Sequence, residues 1–109
     1  MVHCSFDPVD RFVLRIPEQR IEGKYPEDDK TARICVSSDI TKALRAIPQA
    51  GIVMTYMRQL GLPVIIHAYY LKADNYYKPT VAEVPDVNWT DEYWLLSPPD
   101  SVYRKDYEV

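Results

Sequence analysis

The stretch "VIIHAYYL", residues 64–71, limits the fold more than any other part of the sequence. It is apolar on both of its alternating faces, and Pro63 and Lys72 bound it. A run of this length and character reads as a central strand covered on both sides, with its neighbours drawn from distant parts of the chain. With 109 residues there is chain for about one hydrophobic core, so residues 1–109 are expected to form a single domain around this strand.

The neighbours are sought by periodicity. In "RFVLRI", residues 11–16, Phe12, Leu14 and Ile16 alternate with Arg11, Val13 and Arg15, which predicts a first strand. Residues 1–10 before it read as a flexible N-terminus. Residues 18–31 are polar, contain Gly and Pro, and read as a long surface loop. "RICVS", residues 33–37, resumes the alternation, and then the period changes. Ile40, Ala43, Leu44 and Ile47 recur at helical spacing, with Ser38 or Asp39 placed to cap the first turn and Pro48 to close the helix. A second stripe of Ile52, Val53, Tyr56, Met57 and Leu60 predicts another helix, stopped by Gly61 with Pro63 behind it. "WTDEYWLL", residues 89–96, predicts a further strand. Pro98, Pro99 and Asp100 make a turn into a last one, "SVYRKDYEV". Two strands, two helices and three strands give an α+β fold with the helices laid on a largely antiparallel sheet.

Charge narrows the function classes. Thirteen Lys and Arg against sixteen Asp and Glu leave a net charge of −3, and the basic residues form no stripe, which argues against a nucleic-acid surface. No run approaches the length of a membrane-spanning helix and no signal-peptide core is present, so a cytoplasmic protein without a membrane partner is expected. Cys4 and Cys35 with His3 and His67 match no metal-ligand spacing, so no metal and no obligatory cofactor are expected. His67 inside an apolar strand reads as a hydrogen-bonded core histidine. Trp89, Tyr93 and Trp94 read as packing residues.

The polar residues with chemical potential are Arg15 on the first predicted strand, Ser37 and Ser38 at the junction into the helix, and Glu92 on a late strand. This ordered trio resembles the arginine-serine-glutamate pattern of ADP-ribosyltransferases. "RICVSSDITKAL" is similar to the strand-to-helix segment of the small rifampin ADP-ribosyltransferases, and "EYWLLSPPDSVYRKDYEV" to their closing strands. "RICVSSDITKALRAIP" with "VPDVNWTDEYWLLSPP" also resembles small uncharacterised proteins encoded by bacteriophages and integrated elements. The transferase resemblance implies NAD as substrate, held by Arg15 at a phosphate or ribose. Ser37 or Ser38 would brace the nicotinamide pocket, and Glu92 would stabilise the oxocarbenium ion formed as nicotinamide leaves. A second expectation comes from a different class: a small, acidic, tyrosine-rich domain also suits a non-enzymatic module that binds a host protein through acidic loops and exposed aromatics. Whether Arg15, Ser37 and Glu92 meet in one cleft separates the two.

Overall fold

The computed structural model describes residues 1–16, 28 and 30–109. Among them the strands β1 (Val2–Ser5), β2 (Ile34–Ser37), β3 (Ile65–Lys72), β4 (Glu92–Leu95) and β5 (Ser101–Glu108) form one antiparallel sheet in the order β4-β2-β1-β3-β5. Helices α1 (Ile40–Arg45) and α2 (Ala50–Gln59) lie between β2 and β3 in the chain, and a single helical turn, α3 (Val87–Thr90), precedes β4. This is the expected α+β plan.

The strand foreseen as central, β3, is interior, but the middle place belongs to β1. Residues 2–5 therefore correct the expectation of a flexible N-terminus. Val2, His3, Cys4 and Ser5 pair in unbroken register with Tyr70, Tyr69, Ala68 and His67, and Val2 and Cys4 are buried. The pattern was weak because one face of this short strand carries His and Ser.

Residues 11–16 are not a strand. Only Arg15 makes a backbone bridge, to Arg33, while Phe12 and Leu14 pack on the sheet face built from Ile34, Val36, Tyr69, Leu71 and Leu95. An extended chain laid across a sheet shows the same two-residue period as a strand within it, so alternation alone could not tell the two apart. Apart from residues 28, 30 and 31, the predicted loop 18–31 lies outside the described residues.

The opposite face of the sheet carries Val2, Cys4, Ile66 and Ala68 beneath α1, which supplies Ala43 together with Ile40, Leu44 and Ile47. Asp39, not Ser38, caps this helix: its Oδ1 accepts the Lys42 backbone N–H at 2.9 Å. A third cluster joins Val84, Val87 and Trp94 to Cys35.

Trp89 and Thr90, expected in a strand, belong to α3, and Asp91 in the left-handed region (φ 45°) turns the chain into β4. The turn at Pro98 to Asp100 does not fold β5 back on β4. It delivers β5 to the opposite edge, where all eight of its residues pair with β3. No helix among the described residues is long and apolar enough to cross a membrane.

Candidate functional site

β1 and β2 are neighbours in the sheet, yet their only Cα partners are Val2 and Ser37. Four residues further back along β2, Arg33 exchanges both backbone hydrogen bonds with Arg15 (2.8 and 3.2 Å). Backbone groups alternate in direction along a strand, so Ser37, Cys35 and Arg33 all address the same edge of β2. Val2 holds one end of that edge and Arg15 the other. Between them the His3 ring takes the place of a ladder bond, with Nδ1 at 3.2 Å from the Cys35 carbonyl oxygen.

Along the seam lies a half-open cavity of about 710 Å³, a volume ordinary for a small-molecule site. Arg15, Ser37 and Glu92 all line it, as do Arg11, Cys4 and Cys35. Ser37 and Glu92 are Cα partners across β2 and β4, which sets their side chains beside each other on the face that α1 covers. Arg15 stands opposite Arg33 on that same face. At ~3.3 Å per residue, the four-residue offset puts the Arg15 position roughly 13 Å from the Ser37 and Glu92 pair. The three residues share a cavity but occupy its two ends. Ser38 stands apart: it is exposed, does not line the cavity, and hydrogen-bonds Asp91.

Glu92 is 6% exposed, and its Oε2 accepts the indole N–H of Trp94 at 2.6 Å. Trp94 is in turn fixed by the Arg33 guanidinium over its ring at 4.1 Å and by the tilted ring of Tyr77, 5.4 Å between centroids. A buried carboxyl group held by a rigid donor is presented from one place, and in its ionised form that placement suits it to stabilising a cation that develops during reaction.

His3 packs edge-on against Phe12 (5.4 Å). Its pKa is lowered, first by burial and further by the nearby Arg15 charge, against the opposing pull of the Cys35 carbonyl. The neutral ring therefore donates Nδ1–H to that carbonyl. Burial pushes the Cys4 thiol up to about 11, so it remains protonated and a poor nucleophile at neutral pH.

Sequence reading singled out Arg15, Ser37 and Glu92 and passed over His3, Cys4 and Arg11, which line the same cavity. The signal for these was present only once β1 was known to be a strand, because they reach the cavity through the register of β1 and the path of the segment after it. A separate polar cluster lies on the other sheet face: His67 Nδ1 is 2.8 Å from Asp106 Oδ1, and Arg104 Nε donates to the same oxygen at 2.9 Å. These hydrogen bonds, Arg104's first, hold the Asp106 carboxyl down to about 2. Among the described residues no group of three or more His, Cys, Asp or Glu is gathered to hold a metal ion. Compared with known proteins, the chain matches no family model, no curated protein and no solved structure.

Proposed function

We propose that the seam between β1 and β2 is a ligand site and that its ligand is NAD, cleaved at the bond between nicotinamide and ribose. The observation that carries this reading is the shared cavity: Arg15, Ser37 and Glu92 line one space of about 710 Å³. An occupant that reaches from Arg15 to Glu92 spans the whole seam, which suits an elongated dinucleotide better than a single small ring. Arg15 gives one end a cationic side chain that matches a phosphate, and Arg11 also lines the space. Glu92 gives the other end a carboxyl group fixed beside Ser37.

In the reaction, the bond from ribose C1′ to the nicotinamide nitrogen breaks and its electron pair leaves with nicotinamide. The positive charge left on the ribose faces the Glu92 carboxylate. Water or an acceptor side chain then bonds to C1′ and gives up its proton to solvent. Calorimetric titration with NAD and chromatography of released nicotinamide test this. Glu92→Gln should retain binding and lose most turnover, because the amide keeps the shape without the charge. Arg15→Ala should chiefly weaken binding. If the wild-type chain neither binds NAD at millimolar concentration nor releases nicotinamide on long incubation, the catalytic reading fails and contact with a host protein takes its place.

A further inference from the structure

β5 forms one edge of the sheet, and its backbone shows which groups that edge offers. Val109 donates its N–H to the Val64 carbonyl oxygen at 2.9 Å, and Ser101 to Glu108 stand opposite Lys72 to Ile65 in unbroken register. Strand alternation then turns the backbone groups of Tyr103, Lys105 and Tyr107 toward β3 and those of Val102, Arg104, Asp106 and Glu108 outward. Among the described residues no hydrogen bond takes up these outward groups. The side chains above and below them are open too, with Arg104 and Asp106 each 44% exposed and Tyr103 66%. A long edge of this kind is a template for another strand.

We propose that β5 pairs antiparallel with β5 of a second copy of this chain, about a two-fold axis at Lys105, joining the two sheets into one. In this register the edge is its own complement. The outward backbone groups of Val102 and Arg104 exchange ladder bonds with those of Glu108 and Asp106 of the other copy. On one face Arg104 falls opposite Asp106 of the other copy, and the two-fold repeats the pair, so opposite charges meet on both sides of the axis. Within one copy Arg104 Nε already donates to Asp106 Oδ1 at 2.9 Å, so these side chains are ordered before they meet a partner. On the other face Tyr103 falls opposite Tyr107 of the other copy at the closer, non-hydrogen-bonded spacing. Tyr70 steadies both: its hydroxyl is 2.9 Å from that of Tyr107, and its ring centroid 6.2 Å from that of Tyr103. Little side-chain freedom is therefore lost on pairing.

Charge selects the register as well as the occupant. Sliding the strands by one side-chain period of two residues, in either direction, sets Arg104 or Asp106 against its own copy and leaves ladder groups at the strand ends without partners. Lys105 alone meets a like charge at the axis. Its Nζ lies 5.1 Å from the centroid of its own Tyr107 ring, which draws the two ammonium groups to opposite sides. The other edge of the sheet, β4, is half as long, and Tyr77 already exchanges both backbone bonds with Trp94 there at 2.8 Å, so pairing through β5 closes at a dimer. The seam cavity lies between β1 and β2, beyond β3, so this contact is independent of the proposed NAD site.

Sedimentation velocity from about 5 to about 500 μM should show monomer passing to dimer and no further. Arg104→Glu and Asp106→Arg should each weaken self-association at least about tenfold, because each sets like charges opposite one another twice. An equimolar mixture of the two variants should dimerise again, since both opposed pairs then regain opposite signs. Amide exchange of the wild-type chain, followed by NMR, needs no variant to fold: the amides of Val102, Arg104, Asp106 and Glu108 should exchange fast in dilute solution and slow by at least about tenfold in concentrated solution, while those of Tyr103, Lys105 and Tyr107 stay protected in both. A monomer over the whole range overturns the proposal and leaves the edge to a strand from another protein. Growth past the dimer overturns it in favour of pairing with a different edge. Association that leaves the outward amides unprotected, or a mixture of folded variants that fails to recover, overturns it equally.

Discussion

Removing the indole N–H that holds Glu92 should be expensive and specific. Trp94 is 1% exposed and Glu92 6%, so the 2.6 Å bond between them is buried. A hydrogen bond to a charged group contributes a net ~1.5–3 kcal/mol, and truncating indole to phenyl adds roughly 1 kcal/mol for the space left behind. Trp94→Phe should therefore cost about 2.5–4 kcal/mol, lowering Tm by roughly 10–16 °C in a domain of this size. Glu92→Gln keeps an acceptor oxygen in place and loses only the charge assistance, a cost of about 1 kcal/mol. Urea unfolding of the wild type, both single variants and the double variant measures the pair directly. The expected coupling is about 1–2 kcal/mol, and a coupling within ~0.5 kcal/mol of zero would refute the claim that Trp94 fixes the carboxylate.

Three further outcomes follow from the geometry. Asp39→Ala should cost about 0.5–2 kcal/mol in urea unfolding, whereas Ser38→Ala should change stability by less than ~0.5 kcal/mol, because only Asp39 accepts a first-turn N–H of α1. The folded state depresses the His3 pKa, so the unfolded chain binds the extra proton first; stability should be full above pH 6.5 and fall as pH drops from 6.5 toward the depressed value, a slope that His3→Asn should flatten. In dilute solution, hydrogen exchange should be faster in α2 than in β1 and β3, since α2 buries no residue; equal protection would contradict the reading of α2 as an outlying element.

Local chemistry made β2, α1, α2 and β5 legible, because each declares itself within a single segment: Ile34 and Val36 alternate, Ile40 to Ile47 repeat helically, and Gly61 (φ 70°) ends a helix. What stayed hidden depends on pairing between segments. No local pattern announces that "VHCS" fills the middle of the sheet, or that β4 and β5, only a few residues apart in sequence, occupy opposite edges. Of the candidate site, Arg15, Ser37 and Glu92 could be singled out by residue type, and Ser38 could not be distinguished from Ser37 until the structure placed Ser37 inward at the end of β2 and Ser38 outward. The cavity itself was invisible, since it arises from a ladder that β1 and β2 begin at Val2 and Ser37 and do not continue.

The middle position of β1 has a kinetic consequence. Without residues 2–5, the sheet divides into two separate ribbons, β4 with β2 and β3 with β5. Each ribbon already joins distant residues, Ile34 with Leu95 and Ile65 with Glu108, and β1 then ties Val2 to both Ser37 and Tyr70. Loop-closure entropy is therefore spent over long stretches of chain before most native contacts can form, which places folding in the range of milliseconds to seconds expected of nonlocal topologies. β1 is made before β3 and must wait for it to emerge before it finds its principal partner. Mutations in Val2 or Cys4 should thus slow folding more than mutations of equal cost in β5, because joining the two ribbons is the step they control.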